Sequence, residues 1–136
     1  MIDSFNPEEV WTPFGAFSMG VVQGSGQVVY LKGQVALDIA GEIIGKEDMR
    51  VQTRQVLENI KSVLRSVGGE MQDIFSLTHY VTDIDEFMKT GDIRMAHFAE
   101  PFPVTTTVQV VRLYDPALLV EITAIAEIPA NRFKHP

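Results

Sequence analysis

A single acidic residue interrupts an apolar run near the carboxyl end of the chain. Glu121 lies in the segment Leu119-Val120-Glu121-Ile122. Burying a bare carboxylate is costly, so this group must be hydrogen-bonded, paired or protonated. An apolar environment favours the protonated form, which suits a carboxyl group to general acid–base catalysis. The competing interpretation is structural: a glutamate that is hydrogen-bonded across a sheet or to a neighbouring subunit.

Polar side chains recur at every second residue on both sides of residues 112–118. We predict strands over 104–111 and 119–128, joined as a hairpin by that segment. Side chains of one parity share a face of such a hairpin. The predicted result is one polar stripe in an otherwise apolar sheet, formed by Thr105, Thr107, Gln109, Glu121 and Thr123. A register slip of two residues would preserve the stripe. The alternative is that the threonines are simply good β-formers.

Other arrangements that could carry out chemistry are weak. The chain has no cysteine, which excludes disulfides, thiolate catalysis and cysteine-based zinc sites. Its histidines, His79, His97 and His135, are not at metal-ligand spacing. Residues 41–46 superficially resemble a phosphate loop, but Glu47 stands where a serine or threonine would bind magnesium. We therefore expect no metal site.

Composition and charge narrow the class of protein. The chain of 136 residues fits one domain, spanning residues 1–136. A formal net charge of −7 makes it a poor partner for phosphate backbones, so we expect no nucleic-acid partner. No apolar run approaches the roughly 18 residues that cross a bilayer. The start, Met1 to Phe5, lacks the regions of a signal peptide. We expect a cytoplasmic protein with no membrane partner.

Two helices among several strands are predicted to position the polar stripe. A first helix begins after Asp48 and stops at Gly68-Gly69, because apolar residues recur between them at spacings of three and four. A second helix follows a capping aspartate, Asp83 or Asp85. The strands are predicted over residues 17–23, 28–35 with a bulge or a close backbone approach at Gly33, 74–82, 104–111 and 119–128, after an irregular arm over 1–14. This order predicts an α+β fold, with a mainly antiparallel sheet and both helices on one face.

The last predicted strand is apolar on both sides. Val120, Ile122 and Ala124 lie on one side, and Leu119 and Ile125 lie on the other. A strand of this kind is buried on both faces. Two helices can cover only one face of the sheet, so a second copy of the chain is the simplest cover for the other. The sequence therefore predicts a homo-oligomer.

Several segments resemble those of the Rid (YjgF) family, in order and in spacing. The closing segment Val120 to Ala126 closely resembles the family's Val-Glu-Ile-Glu-Ala-Ile-Ala. Near the start of the chain, Phe14 to Ser18 resembles the family's Gly-Pro-Tyr-Ser segment, and Tyr30 to Val35 resembles its strand ending in Ser-Gly-Gln. In the middle, residues 55–64 resemble its Gln-x-x-x-Asn-Ile helix, and residues 82–87 resemble its Asp-Ile-x-x-Phe turn. Phe102-Pro103 resembles the Phe-Pro that opens its penultimate strand. The resemblance covers nearly the whole chain.

The resemblance implies a chorismate-mutase-like fold of the bacillus type, a homotrimer, and no cofactor. It implies pockets at the subunit interfaces, lined by the start of the Phe17 strand, the Gly33 backbone, the strand after Pro103 and Glu121. For the best-known branch of the family, it also implies hydrolysis of reactive enamines and imines released by pyridoxal enzymes. In that reaction water attacks the imine carbon and ammonia leaves.

The chain departs from the deaminase branch at several pocket positions. The arginine that follows the Phe-Pro proline by two residues is Thr105 here, and threonine cannot clamp a carboxylate as a guanidinium does. The branch's cysteine is Thr107, its pocket asparagine corresponds to Gly91, and its tyrosine is Phe17. Glu121 is retained. The resemblance therefore transfers the fold more securely than the 2-imino acid deaminase activity.

Three functions remain open from the sequence. The first is an imine or enamine hydrolase, with Glu121, Thr105 and Thr107 as catalytic residues. Its substrate-binding residues are predicted to be Phe17, Ser18, Lys32, Gly33, Gly91, Thr106 and Gln109. A substrate carboxylate could be anchored by Lys32, Arg94 or Arg112 of either subunit. The second is a binding protein that holds a small metabolite without turnover. The third, a ribonuclease, is disfavoured by the acidic charge and by the lack of a histidine pair or basic patch.

Overall fold

The computed structural model describes residues 1–136, which form six strands, three α-helices and one 3₁₀ turn. The strands are β1 (Asp3–Phe5), β2 (Gly20–Val22), β3 (Gln27–Tyr30), β4 (Ile74–Val81), β5 (Val104–Gln109) and β6 (Val120–Ile128). The helices are α1 (Met49–Arg65), α2 (Ile84–Met88) and α3 (Gly91–His97), and the 3₁₀ turn is Met71–Asp73. The α+β class is therefore confirmed. None of the helices has the length and apolar character needed to span a membrane.

The main sheet has the strand order β3-β6-β4-β5. β6 pairs antiparallel with β3 and with β4, whereas β4 and β5 run parallel. The predicted hairpin between 104–111 and 119–128 is wrong, because β4 lies between these two strands. The reason lies in the connections. A parallel pair needs a crossover connection, and α2 and α3 supply it between β4 and β5.

The position of β4 changes which side chains share a face. His79 lies between Thr107 on β5 and Ile122 on β6, whereas Glu121 is opposite Tyr80. Compared with the predicted hairpin, the register is shifted by one residue, and such a shift moves side chains to the other face. The single polar stripe is therefore wrong. Thr105, Thr107 and Gln109 fall on the helix-covered face, and Glu121 and Thr123 fall on the open face.

Helix α1 supplies most of the layer that covers the sheet. The Asp48 carboxylate accepts a hydrogen bond from the N–H of Val51 at 3.1 Å, which confirms the predicted N-cap. Its apolar face packs against β6, and the fully or almost fully buried members are Val56, Leu57, Ile60 and Leu64. The helix ends at Arg65 and the chain turns at Gly68, whose φ of +84° favours glycine.

The predicted second helix is divided into two short helices. Asp83 caps α2 by accepting a hydrogen bond from the N–H of Glu86 at 3.1 Å. The helix then breaks at Thr90, which is fully buried and whose hydroxyl donates to the carbonyl of Phe87 at 2.6 Å. A side-chain hydrogen bond of this kind competes with the helical backbone pattern. Helix α3 therefore starts in a new direction, and both helices contact α1.

The first two predicted strands, over residues 17–23 and 28–35, are shorter in the structure. β2 covers only Gly20–Val22, and it pairs with β1, which lies inside the segment predicted to be irregular. β3 ends at Tyr30, opposite Ile125, and the chain rejoins β6 where Gln34 pairs with Ile122. One extra residue is therefore accommodated between these pairs, so the bulge predicted near Gly33 is confirmed.

No helix covers the second face of the main sheet. Tyr30, at 77% exposure, and Val108, at 39%, lie on this open face. The helix-covered face, in contrast, belongs to a core cluster of 18 buried residues. The open face is thus an apolar and aromatic surface that the chain itself does not cover.

We predict that Gln52→Leu lowers the free energy of unfolding by about 1–3 kcal/mol. Gln52 is fully buried; its amide donates to the carbonyls of Gly45 and Ala117 and accepts the N–H of Leu119. Leucine would leave these backbone groups without partners. Chemical denaturation measures the change. The matched variant Gln55→Leu loses only a bond to Asn59 and should cost less. Equal costs for the two variants would contradict the role given to Gln52.

Candidate active site

A cavity of about 470 Å³ opens at the β5 edge of the sheet. Three parts of the chain line it: residues 11–19, the helical crossover through Met88, Gly91 and Arg94, and the first half of β5. Thr105 and Thr107 of β5 face the cavity from the helix-covered side of the sheet. Arg94 is the only ionisable side chain in its lining.

Two hydrogen bonds hold residues 14–19 against the edge of the sheet. The N–H of Ser18 donates to the carbonyl of Pro103 at 2.8 Å, directly before β5. The N–H of Met19 donates to the side chain of Asn6 at 2.8 Å. These bonds fix the preceding residue, Phe17, in the lining of the cavity.

An aromatic cluster forms one wall of the cavity. The ring of Trp11 lies 5.7 Å from Phe14 in a stacked arrangement and 5.8 Å from Phe17. Phe14 and Phe17 meet edge to face at 5.2 Å. Despite these contacts, Trp11 is 61% exposed and Phe14 is 75% exposed. The wall therefore offers unusually exposed aromatic surface beside an apolar cavity.

The hydroxyl of Thr107 is held by a buried histidine. His79 Nδ1 lies 2.8 Å from Thr107 Oγ1, and the imidazole packs against Phe87 with ring centroids 5.0 Å apart. Burial, and secondarily the positive charge of Arg94, lower the pKa of His79 to about 3. At neutral pH the ring is therefore uncharged. It orients Thr107 but has little capacity to act as a general acid.

Arg94 enters the cavity lining from α3 without an acidic partner. Its guanidinium lies over the ring of Phe87, 4.4 Å from the centroid, and its Nε donates to Thr90 Oγ1 at 3.3 Å. The acidic residue nearest in sequence, Asp92, is held by Arg50 through hydrogen bonds of 3.0 and 2.7 Å. Burial lowers the pKa of Arg94, which nevertheless remains a cation.

Glu121 lies on the open face of the sheet, outside the cavity. Its carboxylate packs so closely on Gly33 that a Cβ at that position would overlap it. The carboxylate is half-buried and makes no hydrogen bond or ion pair within the chain. The structural interpretation required it to be bonded across the sheet or to a neighbouring subunit. The first of these is absent.

All but one of the predicted site residues fall into two groups. Those that line the cavity are Phe17, Ser18, Gly91, Thr105 and Thr107. Those on or beside the open face are Lys32, Gly33, Thr106 and Glu121. Gln109 belongs to neither group, because its side chain accepts the N–H of Ile84 at 2.9 Å and so helps to begin α2. Lys32 extends along the bulge, with its Nζ 3.4 Å from the carbonyl of Gly33.

Sequence reasoning did not select Trp11 and Phe14 as pocket residues. With the predicted residue Phe17 they form a series of aromatic residues spaced three apart, and that spacing was the available signal. His79 was considered only as a metal ligand, whereas its contact is with Thr107. Arg94 was named only as one of three anchors for a carboxylate. Its isolation from acidic residues depends on the tertiary structure.

The fold and the cavity define a class of small α+β proteins with a helix-covered sheet, an open sheet face and a ligand-sized pocket at one sheet edge. The family model described as Endoribonuclease L-PSP matches residues 8–128. A RutC family protein of Pyrococcus horikoshii is 37% identical over 115 residues, which cover 84% of this chain and 88% of the relative. The chain therefore belongs to the Rid/YjgF family.

Solved structures support the same assignment. The protein YyfB of Yersinia pestis, described as a Rid family protein of unknown function, superposes with a TM-score of 0.86 at 34% identity, covering 93% of this chain and 98% of the other. RidA of a Psychrobacter species superposes with a TM-score of 0.69 at 28% identity, covering 93% and 99%. Family membership supports a general role in small-molecule deamination or metabolite binding.

The neutral state of His79 predicts a loss of stability in mild acid. In the unfolded chain the imidazole binds a proton below about pH 6.5, whereas in the folded protein it stays neutral down to about pH 3. The stabilisation is therefore complete above pH 6.5 and falls by up to about 1.4 kcal/mol per pH unit below it. Denaturant unfolding at pH 7 and pH 5 measures this loss.

The matched variants isolate the contribution of this histidine. His79→Gln should show a smaller difference between pH 7 and pH 5, because the titrating group is gone. His135→Gln, which changes an exposed histidine, should keep the dependence of the wild type. An unchanged pH dependence in His79→Gln would show that other groups cause it.

Proposed function

We propose that the protein is an imine or enamine hydrolase of the deaminase type, acting at a pocket shared between subunits of a homotrimer. The predicted site residues lie partly in the cavity and partly on the open face of the sheet, and this separation supports the proposal. The cavity contains hydroxyl groups and a cation but no acid–base group that works near neutral pH, since His79 titrates at about 3. The free carboxylate of Glu121 lies on a different surface of the same chain.

A second copy of the chain would bring the two surfaces together. The open face, which contains Glu121 and Gly33, is the face that no helix covers. Its exposed aromatic and aliphatic residues, Tyr30 and Val108, suit a protein–protein contact. The cavity lies at the β5 edge of the same sheet. Packing the open face of one subunit beside the cavity of the next would complete a site in which each chain supplies half of the chemistry.

The reaction needs no oxidant, reductant or cofactor. Glu121 takes a proton from water as the oxygen forms a bond to the imine carbon, and it passes this proton to the imine nitrogen. In the resulting carbinolamine the O–H proton is transferred through Glu121 to the amine, so that the C–N bond breaks with loss of neutral ammonia as the carbonyl forms. The hydroxyls of Thr105 and Thr107 position the attacking water or the nitrogen. The bond from His79 fixes the rotamer of Thr107 before substrate binds.

A metabolite-binding protein is the second candidate. Thr105 stands where the deaminase branch has its carboxylate-clamping arginine, and a pocket that binds without turnover would tolerate that loss. Ribonuclease activity has less support, although the family model is described as an endoribonuclease. His79 is buried and uncharged at neutral pH, and His97 is engaged with Glu58 at 2.9 Å.

We predict that the protein releases ammonia from freshly generated 2-iminobutanoate or from a 2-aminomuconate-like enamine. Glu121→Gln should reduce the rate by roughly 100-fold or more, because positioned acid–base groups contribute about 10²–10⁴. Glu42→Gln, an exposed carboxylate in a loop, should leave the rate unchanged. A stopped assay for ammonia measures release. Absence of release from both substrates would instead favour the binding protein.

Gly33→Ala tests the position of the carboxylate without removing it. The added Cβ would meet the flexible end of the Glu121 side chain rather than backbone, so the chain should fold normally while the carboxylate rotates away. We expect near-wild-type denaturation together with a loss of ammonia release that approaches that of Glu121→Gln. Full activity in Gly33→Ala would show that the observed carboxylate position is not required.

Mixed oligomers test whether the site is shared between subunits. We expect little activity from Glu121→Gln alone, and little from Thr105→Phe, which fills the cavity. Co-expressed and randomly mixed, the two variants should recover about a quarter of the wild-type activity, since that fraction of interfaces joins two intact halves. Sedimentation checks that mixed trimers form. Formation of mixed trimers without recovery would place both residues in a site within one subunit.

A further inference from the structure

Arg94 is the one unneutralised charge in a largely apolar cavity of an acidic protein. The chain has a formal net charge of −7, yet no carboxylate lines the cavity. Two other arginines pair with acidic groups, Arg50 with Asp92 and Arg132 with Asp73 at 2.6 Å, and the remaining three, which make no ion pair, are exposed to solvent. Arg94 has no such partner within the chain. Arg94 is half-buried, and an anionic ligand would offset the cost of its partial withdrawal from water without a counterion.

The surroundings of Arg94 hold its guanidinium in place but leave most of its donors unused. The ring of Phe87 supports one face of the guanidinium, and Thr90 takes only the Nε hydrogen. Its Nη1 and Nη2 groups make no hydrogen bond within the chain. A guanidinium in this state presents a preoriented fork, which matches a carboxylate better than it matches a neutral group.

The aromatic part of the lining favours a particular shape of ligand. Trp11, Phe14 and Phe17 form a continuous aromatic cluster within the lining of the cavity. Aromatic rings contact flat, unsaturated groups over a large area by offset stacking. The cavity volume of about 470 Å³ suits a small molecule. The combination is one cation together with a flat apolar surface.

We infer that Arg94 anchors the carboxylate of a small, planar, unsaturated or aromatic carboxylic acid whose apolar body packs on Trp11, Phe14 and Phe17. This inference rests on the proposed function, since it names the substrate class of the same pocket: a 2-imino or 2-enamino acid with a planar side chain. The cation comes from α3 of the crossover. The position on β5 at which the deaminase branch has its arginine is occupied by Thr105 in this chain. Arg94 thus has the clamping role that Thr105 cannot have.

Binding of benzoate and of benzamide tests the inference without requiring turnover. The two ligands have nearly the same shape, but only benzoate carries a carboxylate. Trp11 is the only tryptophan, so its fluorescence reports occupancy of the cavity. We expect the wild type to prefer benzoate by about 10- to 100-fold, the range for a hydrogen-bonded charge pair. Arg94→Gln should bind the two ligands about equally, and Arg94→Lys should retain part of the preference.

Arg54→Gln is the matched control. It removes one arginine from the exposed face of α1, where Arg54 makes no ion pair, and should keep the full preference for benzoate. Sedimentation and denaturation of each variant show whether its assembly and fold are intact. If Arg94→Gln does not fold, the comparison of Arg94→Lys with the wild type decides the test.

The outcomes separate this inference from the proposed hydrolase. An equal affinity of the wild type for benzoate and benzamide would overturn the anchor, as would an unchanged preference in folded Arg94→Gln. Neither result would affect ammonia release that depends on Glu121. Conversely, a preference for benzoate that disappears in Arg94→Gln would support the anchor even if no imine is hydrolysed.

Discussion

Two parallel strands cannot be joined by a tight turn, so the chain must cross over between β4 and β5. The crossover consists of α2 and α3, and it positions most of the candidate site. It brings the Phe87 ring against His79 of β4 and under the Arg94 guanidinium. The parallel pairing also sets Thr107 beside His79, within hydrogen-bond distance. An antiparallel hairpin between β5 and β6 would have none of these contacts, because β4 and its crossover would lie elsewhere.

Two half-buried charged groups, Arg94 and Glu121, have no oppositely charged partner within the chain and lie on different surfaces. Arg50 holds Asp92 in a two-bond ion pair, and Asp92 does not face Arg94, which follows two residues later on the same helix. Glu121 lies against a glycine that leaves room for its carboxylate. One surface therefore presents a cation beside aromatic rings, and the other presents a carboxylate on an uncovered sheet. Neither surface alone contains a complete set of groups for hydrolysis of a C=N bond.

Much of the fold could be predicted from local patterns. The cap at Asp48, the apolar face of α1 and the bulge near Gly33 depend on residues close together in the sequence, and all three are confirmed. The break at Thr90 was missed because it depends on a buried hydroxyl that bonds back to the Phe87 carbonyl. The hairpin was wrong because strand order is a long-range property. Short-range alternation records the parity of side chains within a strand but not the identity of its neighbours.

The sequence by itself determined the α+β class, the family, and the residue types available for chemistry: a glutamate in an apolar strand, threonines on β5 and no cysteine. Only the tertiary structure decided how these residues are grouped. By inserting β4 between β5 and β6, it placed Thr105 and Thr107 on the face opposite Glu121 and brought Arg94 to the threonines from a separate helix. The physical reason is that burial, pairing and the isolation of a charge depend on neighbours distant in the chain, which are set by the packing of the whole sheet and its crossover.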